Sequence, residues 1–450
     1  MYNPDYFDFC LSDIDLTYTD IKNGFSLQLS WAIIIVNINY IFLKEVLNMV
    51  QGKAILVVDL GNSSTKGKVL FGKSSQSGKY REKRFDLPNV FAPIESDYEV
   101  SPDYDEFNSA IIKVDTELNG VDIKGYFCNG DLQAKEKPMA TIKPSATSKK
   151  YDLESTVLSY RLAFLQAHKA IMNMQRVSDF SQLDITWKVV TLLPPGDVDE
   201  GKDKIIDIVK SITEVESVLP QADIPIKIES VAVLPEGYCA YAGVVYDVGC
   251  VYRPEYKYLL EETVLVIDIG AGTTDCLLIK NNKLVQSSKH TVTQGGNNVY
   301  QYVRRKLRCK GLDLDDTVIR NGIIKGVVKD GSKEESIVDI VNDAKAEIAQ
   351  KIISEFQDYI EDSDIKVRSI GHVLVCGGGS MADSDVPEIL PLSKRVFDFF
   401  HKLSPNSSLI ELPKHTVTKN SEDGDTEKVV ETISPRDLNL LGASILADLM

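Results

Sequence analysis

The sequence predicts an α/β chain made of two like halves, and two short segments carry most of that prediction. Val57-Val58-Asp59-Leu60-Gly61-Asn62-Ser63-Ser64-Thr65-Lys66 is one. About two hundred residues later Val266-Ile267-Asp268-Ile269-Gly270-Ala271-Gly272-Thr273-Thr274-Asp275 repeats its plan. Each is an apolar β run ending in Asp, then a turn of small residues, then a second apolar run (Gly67–Phe71 and Cys276–Ile279). Small residues in a tight turn let successive backbone N–H groups converge into a nest that binds phosphate oxygens. The third observation is that strand and helix patterns alternate through both halves, as α/β layering requires. Two matching turns suggest a duplicated domain closing on a nucleotide.

Composition narrows the class. With 450 residues the chain is long enough for two or more domains, and 43% apolar with 26% charged residues is ordinary for a globular protein. A formal charge of −16 argues against direct nucleic-acid binding, which favours basic faces. The seven cysteines are scattered without any C-x-x-C, a pattern of buried reduced thiols rather than disulfides or zinc ligands. The five histidines show no metal spacing or nucleophile pairing. Residues 1–48 form an atypical N-terminal extension: Phe25–Leu43 is strongly apolar, yet Gln28, Asn37 and Asn39 interrupt it. Either the functional protein starts near Met49, or this segment associates with a membrane.

Read in order, Lys53–Phe71 is a hairpin opening the first domain, 49–262. An inserted β-rich subdomain follows at about 72–150, with strands near Phe85–Phe91, Ile111–Leu118 and Val121–Cys128, the last two joined by an Asn119-Gly120 turn. A helix starts near Asp152, then a strand Trp187–Leu193, a helix near Lys202–Ser217 and a strand Ile224–Val233. The second domain, 263–435, opens on Thr263–Ile279 and carries an insertion at about 297–345. Its longest helix spans 334–361, with Ile337, Ile340, Val341, Ala344, Ile348, Ile352 and Phe356 on one face. A buried strand, His372–Cys376, runs into a glycine triplet, and 416–430 reads as a polar surface loop. Pro435 precedes a terminal helix, 436–450.

Residue type gives the phosphate and metal chemistry of these segments, while the roles of Glu236, Gly377–Gly379 and Lys345 are those implied by a resemblance to the actin–heat-shock chaperone–sugar kinase superfamily. Gly61, Asn62, Ser63, Ser64 and Thr65 present donors to phosphates, with Lys66 as a mobile cation, and Gly270, Ala271, Gly272, Thr273 and Thr274 form the opposing clamp. Asp59 and Asp268 can hold hydrated Mg²⁺, which prefers carboxylate plus water. Asp275 either reaches the metal shell or caps its strand. Glu236, after a proline at a strand end, can orient a water; its bland reading is a solvated turn residue. Gly377, Gly378 and Gly379, followed by Ser380, allow close approach of an adenosine. Lys345 either contacts ribose or base or is an exposed salt-bridging lysine. No G-x-x-x-x-G-K-[ST] occurs, so a P-loop fold is disfavoured.

Taken together the chain resembles the actin–heat-shock chaperone–sugar kinase superfamily, from about 49 to 450. Its five elements appear in order: Asp59–Lys66, Leu234-Pro235-Glu236-Gly237-Tyr238, Asp268–Asp275, Val373–Met381, and Leu440–Ala447. Within it the chain looks most like ParM-type bacterial actins that segregate plasmids. Leu234-Pro235-Glu236 resembles that group's Pro-Glu, and Gln294-Gly295-Gly296 its glycine turn. Tyr126–Leu132 resembles a strand-end pattern of the group, from which Cys128-Asn129 and Gln133 depart. The resemblance implies two duplicated ribonuclease-H-like domains flanking a nucleotide cleft, with the terminal helix, 436–450, returning to the first domain. It further implies an ATPase using ATP or GTP with Mg²⁺, with Glu236, Asp59 and Asp268 as catalytic residues. The implied partners are further copies in a dynamic filament and a small basic DNA-binding adaptor on a centromere-like site, in a bacterial cytoplasm. A sugar-type kinase, a chaperone ATPase and a membrane-associated cell-shape actin are the competing readings, the last only if 25–43 inserts.

Overall fold

The computed structural model describes residues 49–74, 78–95, 109–130, 141–144, 148–331, 333–361, 365–380, 384–420 and 426–450. The expectations for residues 1–48, for Asp131 to Gln133 and for Met381 lie outside these. The architecture below is that of the unit formed by Gly52–Ser181 and Ile185–Met450.

In the first half, β1 (Val50–Leu60) pairs antiparallel with β2 (Ser64–Phe71), and β2 with β3 (Arg81–Pro88). β4 (Phe91–Ile94), β5 (Ser109–Leu118) and β6 (Val121–Gly130) belong to a second sheet. Asn119 and Gly120 both sit at positive φ, 53° and 79°, as a two-residue hairpin turn requires. Helix α1 (Glu154–Gln175) packs on both sheets and is buried on nearly all sides, which explains its weak amphipathicity. β7 (Leu183–Leu193) follows, then α2 (Val198–Lys210), β8 (Glu214–Leu219), β9 (Ala222–Pro225) and β10 (Lys227–Pro235). The main sheet runs β10-β7-β1-β2-β3 and the inserted sheet β4-β6-β5-β8-β9.

Two expectations are corrected here. The helix expected over Lys202–Ser217 ends at Lys210, because the β-branched run after Thr213 pairs as β8 with β5. The inserted sheet is therefore not confined to 72–150: it recruits β8 and β9, while β3 joins the main sheet.

Helix α3 (Tyr238–Val245) leads through a small hairpin, β11 (Tyr246–Asp247) and β12 (Val251–Tyr252), to the second half. There β13 (Thr263–Ile269) and β14 (Thr274–Lys280) form a hairpin continued by β15 (Lys283–Leu284) and β16 (His290–Val292). α4 (Gly296–Cys309), α5 (Asp316–Lys325), the hairpin β17 (Val327–Asp330) and β18 (Lys333–Ser336), and α6 (Val338–Glu361) come next. β19 (His372–Cys376) lies parallel to β13, followed by α7 (Leu392–Leu403) and β20 (Ser408–Leu409). The stretch expected as a loop at 416–430 is instead a hairpin, β21 (Lys414–Asn420) with β22 (Thr426–Thr432). Its threonines and valines favour extended backbone despite the polar composition. The chain closes on α8 (Leu438–Ala447).

α3 and α8 join the halves. Ala240, Tyr241 and Leu438 belong to the core of the second sheet, whereas Cys239, Leu440 and Ala443 pack with Ile55, Val57 and Leu192 of the first. The two helices meet backbone to backbone: a Cβ on Gly442 would lie 1.7 Å from the Cys239 carbonyl oxygen.

Candidate functional site: a cleft between two like hairpins

The β1–β2 and β13–β14 hairpins are built alike. Asp59 pairs in register with Lys66 and Asp268 with Asp275. Each turn is closed by the same bond, Gly61 N–H to the Ser64 carbonyl at 2.9 Å and Gly270 N–H to the Thr273 carbonyl at 2.8 Å. Both turns line one cavity of about 890 Å³. The cavity wall includes Asp59, Gly61, Asn62, Ser63, Ser64, Lys66, Glu236, Asp268, Gly270, Ala271, Thr273, Asp275, Gly296 and the triplet Gly377, Gly378 and Gly379. Thr65, Gly272, Thr274, Gly295 and Ser380 do not line the cavity: Thr274 Oγ1 donates to the Gln294 carbonyl, and Ser380 Oγ to the Gly377 carbonyl.

Lys345 is not brought to the cleft. It sits fully buried on α6, neither a wall residue nor an exposed surface lysine. Lys66 is not a mobile cation: its Nζ donates to Asp59 Oδ2 and to the Arg436 carbonyl, each at 3.1 Å. Burial works against its charge, but Asp59 outweighs that and raises its pKa. Nor is Glu236 a solvated turn residue. Its side chain is 12% exposed and accepts from Lys150 Nζ at 2.6 Å.

Crowding of carboxylates is the dominant electrostatic feature. Burial, with Asp59 and Asp268 adding and Lys150 opposing, pushes the Glu236 carboxyl up to about 7. Burial also raises Asp268, although a hydrogen bond from Asn439 Nδ2 favours its charged form. Asp275 lies well above the usual range through burial and the neighbouring Glu236, while Thr291 Oγ1 donates to it at 2.5 Å. Burial disfavours the Lys150 ammonium, yet Glu236 and Asp59 raise it above its ordinary value. Among the described residues no three Asp, Glu, His or Cys side chains are placed to ligate a metal directly. Carboxylates crowded beyond what Lys66 and Lys150 offset, without a direct cage, fit a hydrated divalent ion held through water.

Lys150, Arg436 and Asn439 were not singled out from sequence. Asn439 accepts from the Gly237 N–H at 2.9 Å while its amide donates to Asp268, so one side chain ties the peptide after Glu236 to the second hairpin. Among the glycines of the cavity wall Gly377 makes the closest approach: its φ is +86°, and a Cβ there would lie 2.2 Å from Asp268 Oδ1.

This geometry defines an actin-like fold, and comparison with known proteins agrees. Residues 266–385 match the family model described as archaeal actin homologue MreB-like, C-terminal. The chain is similar to the actin-like protein Alp7A at 15% identity, covering 89% of this chain and 97% of that one with a TM-score of 0.59. It is similar to Bacillus thuringiensis ParM with ATP (14% identity, 89% and 99% covered, TM-score 0.55). A third likeness is to ParM in a 15-stranded filament from Clostridium botulinum (16% identity, 89% and 100% covered, TM-score 0.56). No curated protein sequence matches. Within the actin-like fold the resemblance is to ParM-type and archaeal actin homologues, as the sequence motifs imply. Among the described residues no helix is long and apolar enough to cross a membrane.

Proposed function

We propose that the chain is an ATP-hydrolysing, filament-forming actin homologue whose nucleotide lies in the cleft between the two hairpins. The observation that carries this reading is the pair of identically closed turns, each behind a strand-end aspartate, lining one cavity. The turn at Gly61–Ser64 and the turn at Gly270–Thr273 donate backbone N–H groups to the phosphates, and Gly377–Gly379 admits the nucleoside. Asp59 and Asp268 hold Mg²⁺ through water, and the ion neutralises charge on the phosphates. Glu236 orients the attacking water, which needs only one placed carboxylate. A conformation that binds nucleotide better when closed is favoured by nucleotide, and head-to-tail contact between closed copies gives open filaments. The ATP-bound and filamentous forms of the similar ParM structures support this reading. The negative net charge suits DNA segregation through a basic adaptor rather than direct contact.

The test is light scattering with phosphate release after Mg-ATP addition, for wild type and Glu236→Ala. Scattering should rise and then decay as phosphate appears, whereas the variant should polymerise and persist. Bound nucleotide without scattering at any protein concentration refutes the filament reading and turns attention to a small-molecule kinase.

A further inference from the structure

The segment between β22 and α8 touches most of the cleft at once. The Gly377 N–H donates to the Pro435 carbonyl at 3.0 Å, and Lys66 Nζ donates to the Arg436 carbonyl. The Arg436 guanidinium reaches the first turn itself, donating through Nη2 to Ser64 Oγ at 3.0 Å. What holds Arg436 there is a reciprocal pair of ion pairs with strand β3. Arg436 Nη2 lies 2.5 Å from Asp86 Oδ2. One residue on, Asp437 accepts two bonds from Arg84, one of them Nη1 to Oδ2 at 2.5 Å. Arg84 and Asp86, on either side of Phe85, share one face of β3, and Asp86 pairs in register with Lys66. An Arg and an Asp on the strand thus meet an Asp and an Arg on the segment.

We propose that Arg84, Asp86, Arg436 and Asp437 form a clamp that positions the first phosphate turn. Arg436 sets Ser64 and, through its carbonyl, Lys66; Arg84 and Asp437 act one step behind, setting Arg436. These are positioning residues, and the inference rests on the nucleotide reading above. The argument is one of geometry rather than of stability. The four side chains are 23–41% exposed, and pairs so exposed contribute little to folding. A bidentate arginine–carboxylate contact nonetheless fixes direction as well as distance. Turn donors displaced by a fraction of an ångström lose much of their value to a bound phosphate. Neither Arg84 nor Asp437 lines the cavity, so neither touches the nucleotide directly.

The decisive experiment is a charge swap in the full chain: Arg84→Asp, Asp437→Arg, and both together. The readouts are the Kd of a fluorescent ATP analogue, the kcat of phosphate release at saturating ATP, and the unfolding midpoint. Each single variant should bind the analogue about tenfold more weakly with its unfolding midpoint nearly unchanged, and the double swap should restore wild-type affinity. Single variants that bind as tightly as wild type overturn the clamp. Weakened binding that the double swap does not restore overturns it also, because the reciprocal pairing is then not what matters. A fall in unfolding midpoint with unchanged Kd assigns the contacts to folding alone and equally overturns it. A wild-type chain that binds no nucleotide overturns the nucleotide reading, and the clamp's role with it, which separates the two failures.

Discussion

Glu236→Gln removes one charge from the cleft while keeping the side chain's shape, and its effect on stability can be worked out from the structure. In the folded chain the Glu236 carboxyl titrates near 7, because burial and the neighbouring aspartates outweigh Lys150, whereas its ordinary value is 4.5. Below pH 4.5 the group is neutral in both folded and unfolded chains. Between 4.5 and 7 the unfolded chain releases its proton while the folded chain retains it, so stability falls as pH rises. Above 7 both states are ionised and the loss is complete. The gap between the two values corresponds to about 3 kcal/mol. Glutamine does not titrate and resembles the neutral acid. The variant should therefore match wild type near pH 4.5 and exceed it by about 3 kcal/mol at pH 8. Urea unfolding of nucleotide-free protein, followed by circular dichroism across this range, measures the difference. A difference that does not change with pH refutes the reasoning. So does a wild type that is the more stable at pH 8, since the Lys150 ion pair would then outweigh burial.

Two glycines give sharper steric predictions. Gly377→Ala must hold a side chain at φ +86° with its Cβ 2.2 Å from Asp268 Oδ1. The backbone term alone costs about 1–2 kcal/mol, and a nucleotide titration should show binding lost along with stability. Gly442→Ala forces α8 away from the Cys239 carbonyl, which its Cβ would meet at 1.7 Å, and should cost about 3 kcal/mol in urea unfolding, the upper end of overpacking costs. Gly371→Ala, whose Cβ meets only Glu262 Oε2 at 3.6 Å, is the control expected to stay within about 0.5 kcal/mol of wild type.

What the sequence made legible is tied to local pattern. The two hairpins are contiguous apolar runs around small-residue turns, so strand, turn and strand can all be read within ten residues, and Asn119-Gly120 likewise marks its own hairpin. β8 was hidden because Glu214-Val215-Glu216-Ser217 follows a helix without a proline or glycine to separate them. The β21–β22 hairpin was hidden because its composition is that of a solvated loop. Site residues supplied by single positions left no trace. Lys150 follows a lysine in an unpatterned stretch, and only the fold brings it to Glu236, 86 positions away. Arg436 and Asn439 sit beside a readable helix start, yet their partners lie hundreds of residues earlier in the chain. Lys345 failed for the converse reason: a lysine in a helical pattern looks exposed, while topology buries it completely.

The two hairpins are alike in backbone but differ in charge, and that difference gives the cleft two unlike sides. In the same register position, opposite the strand-end aspartate, the first hairpin carries Lys66 and the second carries Asp275. The first aspartate is thereby neutralised by its own strand partner, and Arg436 adds a further cation beside Ser64. The second aspartate faces another carboxylate, with Glu236 close enough to raise Asp275 further. An anionic phosphate chain is attracted to the first side and repelled by the second unless a cation lies between. At these register positions the second hairpin carries two carboxylates, whereas the first pairs its aspartate with an amine. Glu236 follows the last residue of β10, where Lys150 holds its carboxyl and both strand-end aspartates, Asp59 and Asp268, act against its charge.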